Sequence, residues 1–66
     1  MRTSAQVREE LEYMLNYPGL LIENIEDILN DSKVLRNYGF LNYDDYQTIE
    51  DKVAEEKRER IYESYT

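Results

Sequence analysis

Four carboxylates, Asp51, Glu55, Glu59 and Glu63, recur at every fourth residue of the stretch that closes the chain. On a helix that spacing sets the rungs about 6 Å apart along the axis, comparable to successive phosphates along a nucleic-acid strand. Glu23, Asp27 and Asp31 make a shorter copy earlier in the sequence. Like charges at i, i+4 repel, so each ladder slightly weakens its own helix. A surface of this kind can occupy a phosphate-binding groove on another protein, its carboxylates taking the Arg and Lys contacts. The plainer reading is a solvated face that keeps the chain soluble.

Tyrosine is the second chemical feature, with seven in the chain. Its ring buries area while its hydroxyl stays polar, which suits a binding surface. Tyr38, Phe40, Tyr43 and Tyr46 fall close together, and for Tyr38 and Tyr46 the rim of a small core is expected. Tyr62 and Tyr65 lie beyond any expected core and are expected to touch a partner.

Nothing in the residue types points to catalysis. Asp44-Asp45 and Glu50-Asp51 are adjacent acidic pairs, but neither has the alternating ligands around Gly of a calcium loop. Helical carboxylates that hold a metal pair usually work with Glu-x-x-His, and the chain has no His. It has no Cys either, which excludes disulfides, thiol chemistry and zinc sites of the usual kind. No Gly-rich phosphate loop or nucleophile motif is present. The expectation is therefore no enzyme, no cofactor and no metal.

Charge narrows the partners. Fifteen acidic residues against eight basic ones leave a formal charge of −7. Nucleic-acid binding rests on neutralising phosphates, so DNA and RNA should be repelled. A helix-turn-helix outline can be drawn through residues 32–53, but its recognition helix would carry Asp44, Asp45, Glu50 and Asp51 toward the phosphates. A basic protein is the expected partner. The longest apolar run, Leu20-Leu21-Ile22, is far short of the roughly 20 residues a membrane span needs. Met1-Arg2-Thr3-Ser4 leads into a charged helix and not into an apolar signal core. A cytoplasmic protein is expected, in the host cytoplasm if a phage encodes it.

These residues need elements to hold them. Thr3 or Ser4 can cap a first helix over residues 5–16, and Gln6 completes a capping box with Thr3. Val7, Leu11, Met14 and Leu15 give that helix its apolar stripe. Tyr17-Pro18-Gly19 ends it, because Pro18 disfavours helical dihedrals at Tyr17 and Gly19 can take positive φ. A second helix is expected over residues 20–31, burying Leu21, Ile25, Ile28 and Leu29, with Ile22 beside them. Asn30-Asp31-Ser32 should interrupt, with either Asp31 or Ser32 capping a short third helix over 33–38 that turns Val34, Leu35 and Tyr38 inward. Gly39 sits where a left-handed C-terminal cap belongs. The final helix is expected over residues 43–63, started by Asn42 or Asp44, with Asp44 and Asp45 favourable to its dipole. Tyr46, Ile49 and Val53 form its inward stripe, extended by Tyr43 and Ala54. Beyond Glu55 the stripe meets Lys57 and Arg60, so the second half should project from the domain or lie along a partner.

The sum is one all-α domain of three to four helices with a long C-terminal helix. A chain of 66 residues buries only about 60% of its unfolded surface, so it is marginally stable alone. Self-association into a homodimer is accordingly expected as one route to stability. In size, acidity and lack of a catalytic motif the chain resembles the small inhibitors that phages and other mobile elements deploy against host nucleases, the anti-restriction and anti-CRISPR proteins. That likeness implies a nucleic-acid mimic that docks on a basic, nucleic-acid-binding surface. The alternatives are a self-associating helical structural or adaptor protein, and an antitoxin or immunity protein.

Overall fold

A computed structural model describes residues 2–64 of the chain, with side chains through Ile61. Three helices occur in the order α1 (Ser4–Leu15), α2 (Ile22–Asn37) and α3 (Tyr43–Ser64), an all-α architecture without strands among the described residues. Ion pairs between the helices set their directions. Arg8 meets Asp45 and Glu12 meets Lys52, so α1 and α3 run parallel. Glu26 meets Lys57 and Arg36 lies over the Tyr46 ring, so α2 runs antiparallel to both.

The ends of the helices follow their local chemistry. Thr3 caps α1: its Oγ1 accepts the Gln6 N–H at 3.2 Å while its own N–H donates to Gln6 Oε1 at 2.9 Å. The Tyr17–Gly19 turn closes α1, with the Leu20 N–H donating to the Tyr17 carbonyl. Gly19 does not use positive φ there; Gly39, at φ 84°, is the position that does. The Gly39 N–H reaches the Arg36 carbonyl and the Phe40 N–H reaches Leu35, the paired bonds of a Schellman cap. Asn42 then caps α3, its Oδ1 accepting the Asp45 N–H at 2.8 Å.

One break expected from the sequence does not occur. Residues 20–31 and 33–38 are not two helices, because α2 runs unbroken from Ile22 to Asn37. Ser32 is fully buried and its hydroxyl donates to the Ile28 carbonyl four residues back at 2.8 Å. A serine bonded in that way sits inside a helix and does not cap one. Ser32→Ala is therefore expected to change stability by less than about 0.5 kcal/mol, since alanine's helix propensity offsets the lost bond. Urea unfolding of the two proteins checks this. A loss above about 1 kcal/mol, the usual cost of removing a cap, would put the interruption back.

Nine residues form the core: Val7, Leu11, Leu15, Ile25, Ile28, Leu41, Tyr46, Ile49 and Val53, with Leu20, Leu29 and Leu35 packed at its edge. Several residues expected inside are outside. Val34 is 51% and Tyr38 76% exposed, because an unbroken α2 continues the register of Ile25 and Ile28 and carries both to the far face. Leu21 precedes α2 and is also exposed, as are Ile22, Met14, Tyr43 and Ala54. Tyr46 is buried and donates to Glu50 Oε2 at 2.8 Å. Burial first, then that hydrogen bond, raises its phenol pKa above the ordinary value of 10.0, against a lowering influence from Arg36. A raised pKa means the fold favours the neutral phenol. That stability is complete below about pH 10 and is lost as pH climbs through the raised value. Denaturation midpoints should fall on the alkaline side of about pH 10, and less steeply in Tyr46→Phe. Identical alkaline profiles would remove Tyr46 as the cause.

As far as Arg60, the second half of α3 does not project but packs on α2 and the α1–α2 loop. Lys57 Nζ lies 3.3 Å from Glu26, and Arg60 Nε donates to the Leu20 carbonyl at 2.7 Å while its NH1 meets Glu56 at 2.6 Å. Both cations on the inward stripe are thus spent on α2 and the α1–α2 loop. No helix among the described residues is long and apolar enough to cross a membrane.

Candidate partner-binding surface

The acidic residues divide into two groups. Glu9, Glu10, Glu12, Glu26, Asp45 and Glu56 make ion pairs with Arg2, Arg8, Lys52, Lys57 and Arg60. Asp51, Glu55 and Glu59 on α3, and Glu23, Asp27 and Asp31 on α2, make none among the described residues, and all six are exposed. Asp51 accepts only a hydrogen bond from Gln47 Nε2 at 3.2 Å. Arg8, Lys52 and Lys57 are spent across the helix–helix seams, while Lys33 and Arg58 are exposed without an ion pair among the described residues, Arg58 lying beside Glu55 and Glu59 on α3.

Helical geometry decides how those carboxylates are displayed. At 100° per residue each i+4 step gains about 40°, so the α3 ladder winds around its helix. Asp51 lies nearly opposite the buried Ile49, whereas Glu55 has turned toward α1, where it shares a shallow hollow with Asn16 and Lys52. Because α2 and α3 face each other through their apolar stripes, the two ladders point away from each other. They form two separate acidic faces. Glu63, Tyr62 and Tyr65 of the sequence-expected surface lie outside the residues whose side chains are described.

The seam beneath the α1 side of α3 is the best organised polar cluster. Ser4 Oγ donates to Asp45 Oδ2 and accepts the Asn42 N–H at 2.9 Å. Arg8 NH1 donates to Asp45 Oδ1 at 3.0 Å. Arg8 Nε is 3.2 Å from Glu12 Oε1, near enough for ionic attraction, but it is buried without an aligned hydrogen bond. Sequence reasoning missed this cluster. Its one available signal was Arg8 on the flank of the Leu11 stripe, beside the core instead of opposite it.

Exposed aromatic side chains are more widely spread than the sequence suggested. Tyr13 is 81%, Tyr17 63% and Tyr43 67% exposed, so of the cluster around the third turn only Tyr46 is core. An open cleft of about 800 Å³ lies between the α1–α2 loop and α3, with Tyr17, Leu21, Ile22, Glu56 and Arg60 among its walls. Of its three charged groups, Arg60 and Glu56 bond to each other and Arg60 also bonds to the Leu20 carbonyl, so these two clamp the loop, while Glu23 stays exposed. Among the described residues no group of three or more carboxylates is placed to hold a metal ion. Compared with protein-family models, curated proteins and solved structures, the chain matches none.

Proposed function

We propose that this chain is a non-enzymatic protein-binding inhibitor that offers its acidic helical faces to a basic, nucleic-acid-binding surface of a target protein. The observation that supports this reading is the division of charge: Arg8, Lys52 and Lys57 close the helix seams, while Asp51, Glu55 and Glu59 stay exposed without an ion pair among the described residues and outnumber Arg58, the exposed cation beside them. Carboxylates on a packed helix bind from an ordered backbone, so only side-chain rotamers are fixed on binding, and they suit guanidinium and ammonium groups that ordinarily hold phosphates. The inhibitor class it best fits is the nucleic-acid mimic of anti-restriction or anti-CRISPR type. An antitoxin or immunity protein would use the same physics on a basic toxin. A self-associating adaptor has less support, because Lys57 and Arg60, the cations it would place across a subunit interface, are already bonded within the chain.

Affinity capture followed by titration of the purified partner tests the proposal. Binding should compete with nucleic acid and weaken as salt rises from about 50 to 200 mM. The combined variant Asp51→Asn, Glu55→Gln, Glu59→Gln keeps side-chain shape and removes charge. Its affinity should fall roughly tenfold to a hundredfold, about 1.4–2.8 kcal/mol. Partners that are neutral or acidic, bound without salt dependence, would refute the proposal.

A further inference from the structure

α3 packs against both other helices, while α1 and α2 touch each other sparingly. The side of the α1–α2 pair away from α3 is thus left open as a groove of about 350 Å³. Leu11 and Met14 of α1 and Leu35 of α2 give it an apolar floor, and Phe40 closes one end. Met14 is 45% and Phe40 53% exposed, so both present apolar surface to whatever enters. The α1 rim is neutral, because Arg2 and Glu10 pair there at 2.6 Å. The α2 edge is not neutral. Asp31 stands one turn before Leu35, turned about 40° from it around α2, and Asp27 a further turn and about 40° further outward; both are exposed and flank the groove without lining it.

We propose that this groove receives an amphipathic helical segment of a basic protein, with one apolar side chain seated between Met14 and Phe40 and Lys or Arg side chains paired with Asp31 and Asp27. The proposal rests on the reading above that the partner is basic, and it adds a second contact, distinct from the α3 ladder, with a stated chemistry. Its volume suits one or two apolar side chains. Helices that bind in grooves commonly use such anchors at one-turn spacing. The carboxylates of Asp27 and Asp31 stand about 6 Å apart along α2, so basic residues four apart on a helix lying alongside would meet both. Charge decides between a basic segment and a second copy of this chain. Another copy has a formal charge of −7 and would set its own acidic edge against this one.

The probe is a synthetic helical peptide with Leu at one-turn spacing on one face and Lys four residues apart beside it. Its control replaces Leu by Ser at unchanged charge. Fluorescence anisotropy with the intact chain should give binding at least about tenfold weaker for the Ser peptide. The Leu peptide should lose a similar factor against Met14→Gln and against the pair Asp27→Asn, Asp31→Asn. These are exposed helical positions, and circular dichroism verifies that the variants fold. Against Asp51→Asn, Glu55→Gln, Glu59→Gln the same peptide should change by less than about twofold. Equal binding of the Ser peptide, or binding that follows the α3 variant alone, would overturn the groove while leaving the acidic α3 face intact. No binding of the Leu peptide overturns the groove as well, and the purified-partner titration then judges the α3 face by itself. Concentration-dependent dimerisation that protects Met14 from oxidation would overturn the basic-segment assignment in favour of a second copy.

Discussion

Ile49→Ala is expected to leave the domain largely unfolded at 37 °C. Ile49 is fully buried on the helix that packs most extensively against both others, at the centre of the shared core. Truncating a buried isoleucine to alanine costs about 2–5 kcal/mol, through lost transfer energy and a cavity that neighbours only partly close. A core in a chain this short supplies roughly 3–5 kcal/mol in total, so the loss is comparable to the whole stability. Thermal melting followed by circular dichroism should show the transition lowered by more than about 10 °C, or absent at low temperature. Val34→Ala is the control. At 51% exposure Val34 lies off the core, and its truncation should cost less than about 1 kcal/mol. Equal losses at the two positions would mean that the register of α2 or α3 is wrong.

That control also marks where sequence reasoning stopped. The capping box at Thr3, the stripes of α1 and α3 apart from Met14, Tyr43 and Ala54, the Gly39 cap and Asn42 as one of two starts for the last helix were readable, because each depends on residues close in sequence. Ser32 was misread for an equally local reason. A serine after Asn and Asp looks like a cap, and only its full burial beneath the other helices shows that it fills a core position. Val34 and Tyr38 followed it into error, since restarting the helix at residue 33 shifts the expected inward face.

Charge had the same limit. A helical wheel puts Asp51 and Glu55 outside, and the structure agrees. It cannot say that Lys57 will find Glu26 or that Arg60 will find the Leu20 carbonyl, because those contacts depend on the register between helices. For that reason the second half of the last helix was expected to project from the domain or lie along a partner. The acidic faces were visible as a pattern, and that Lys52 and Lys57 pair with Glu12 and Glu26 and not with the ladder became visible only once the seams were known.

Asp45→Ala is the second large effect, and it tests the seam that sets this register. Asp45 sits in the first turn of α3 with its side chain only 13% exposed. It receives Ser4 Oγ and Arg8 NH1 on its two oxygens, tying both ends of the first two turns of α1 to α3. Removing it leaves the Arg8 guanidinium, itself 30% exposed, without its α3 partner. It also removes a carboxylate from a helix N-terminus, where negative charge is favourable. Together these should cost about 2–4 kcal/mol, above the median for surface pairs because hydrogen bonds and a partly buried charge are lost at once. Ser4→Ala should cost about 1 kcal/mol by itself. In the double variant the two losses should fall short of their sum by roughly 0.5–1.5 kcal/mol, the signature of residues that act on one another. Strict additivity in urea unfolding would mean that Ser4 and Asp45 do not bond in solution, and that α1 is held to α3 by its apolar stripe alone.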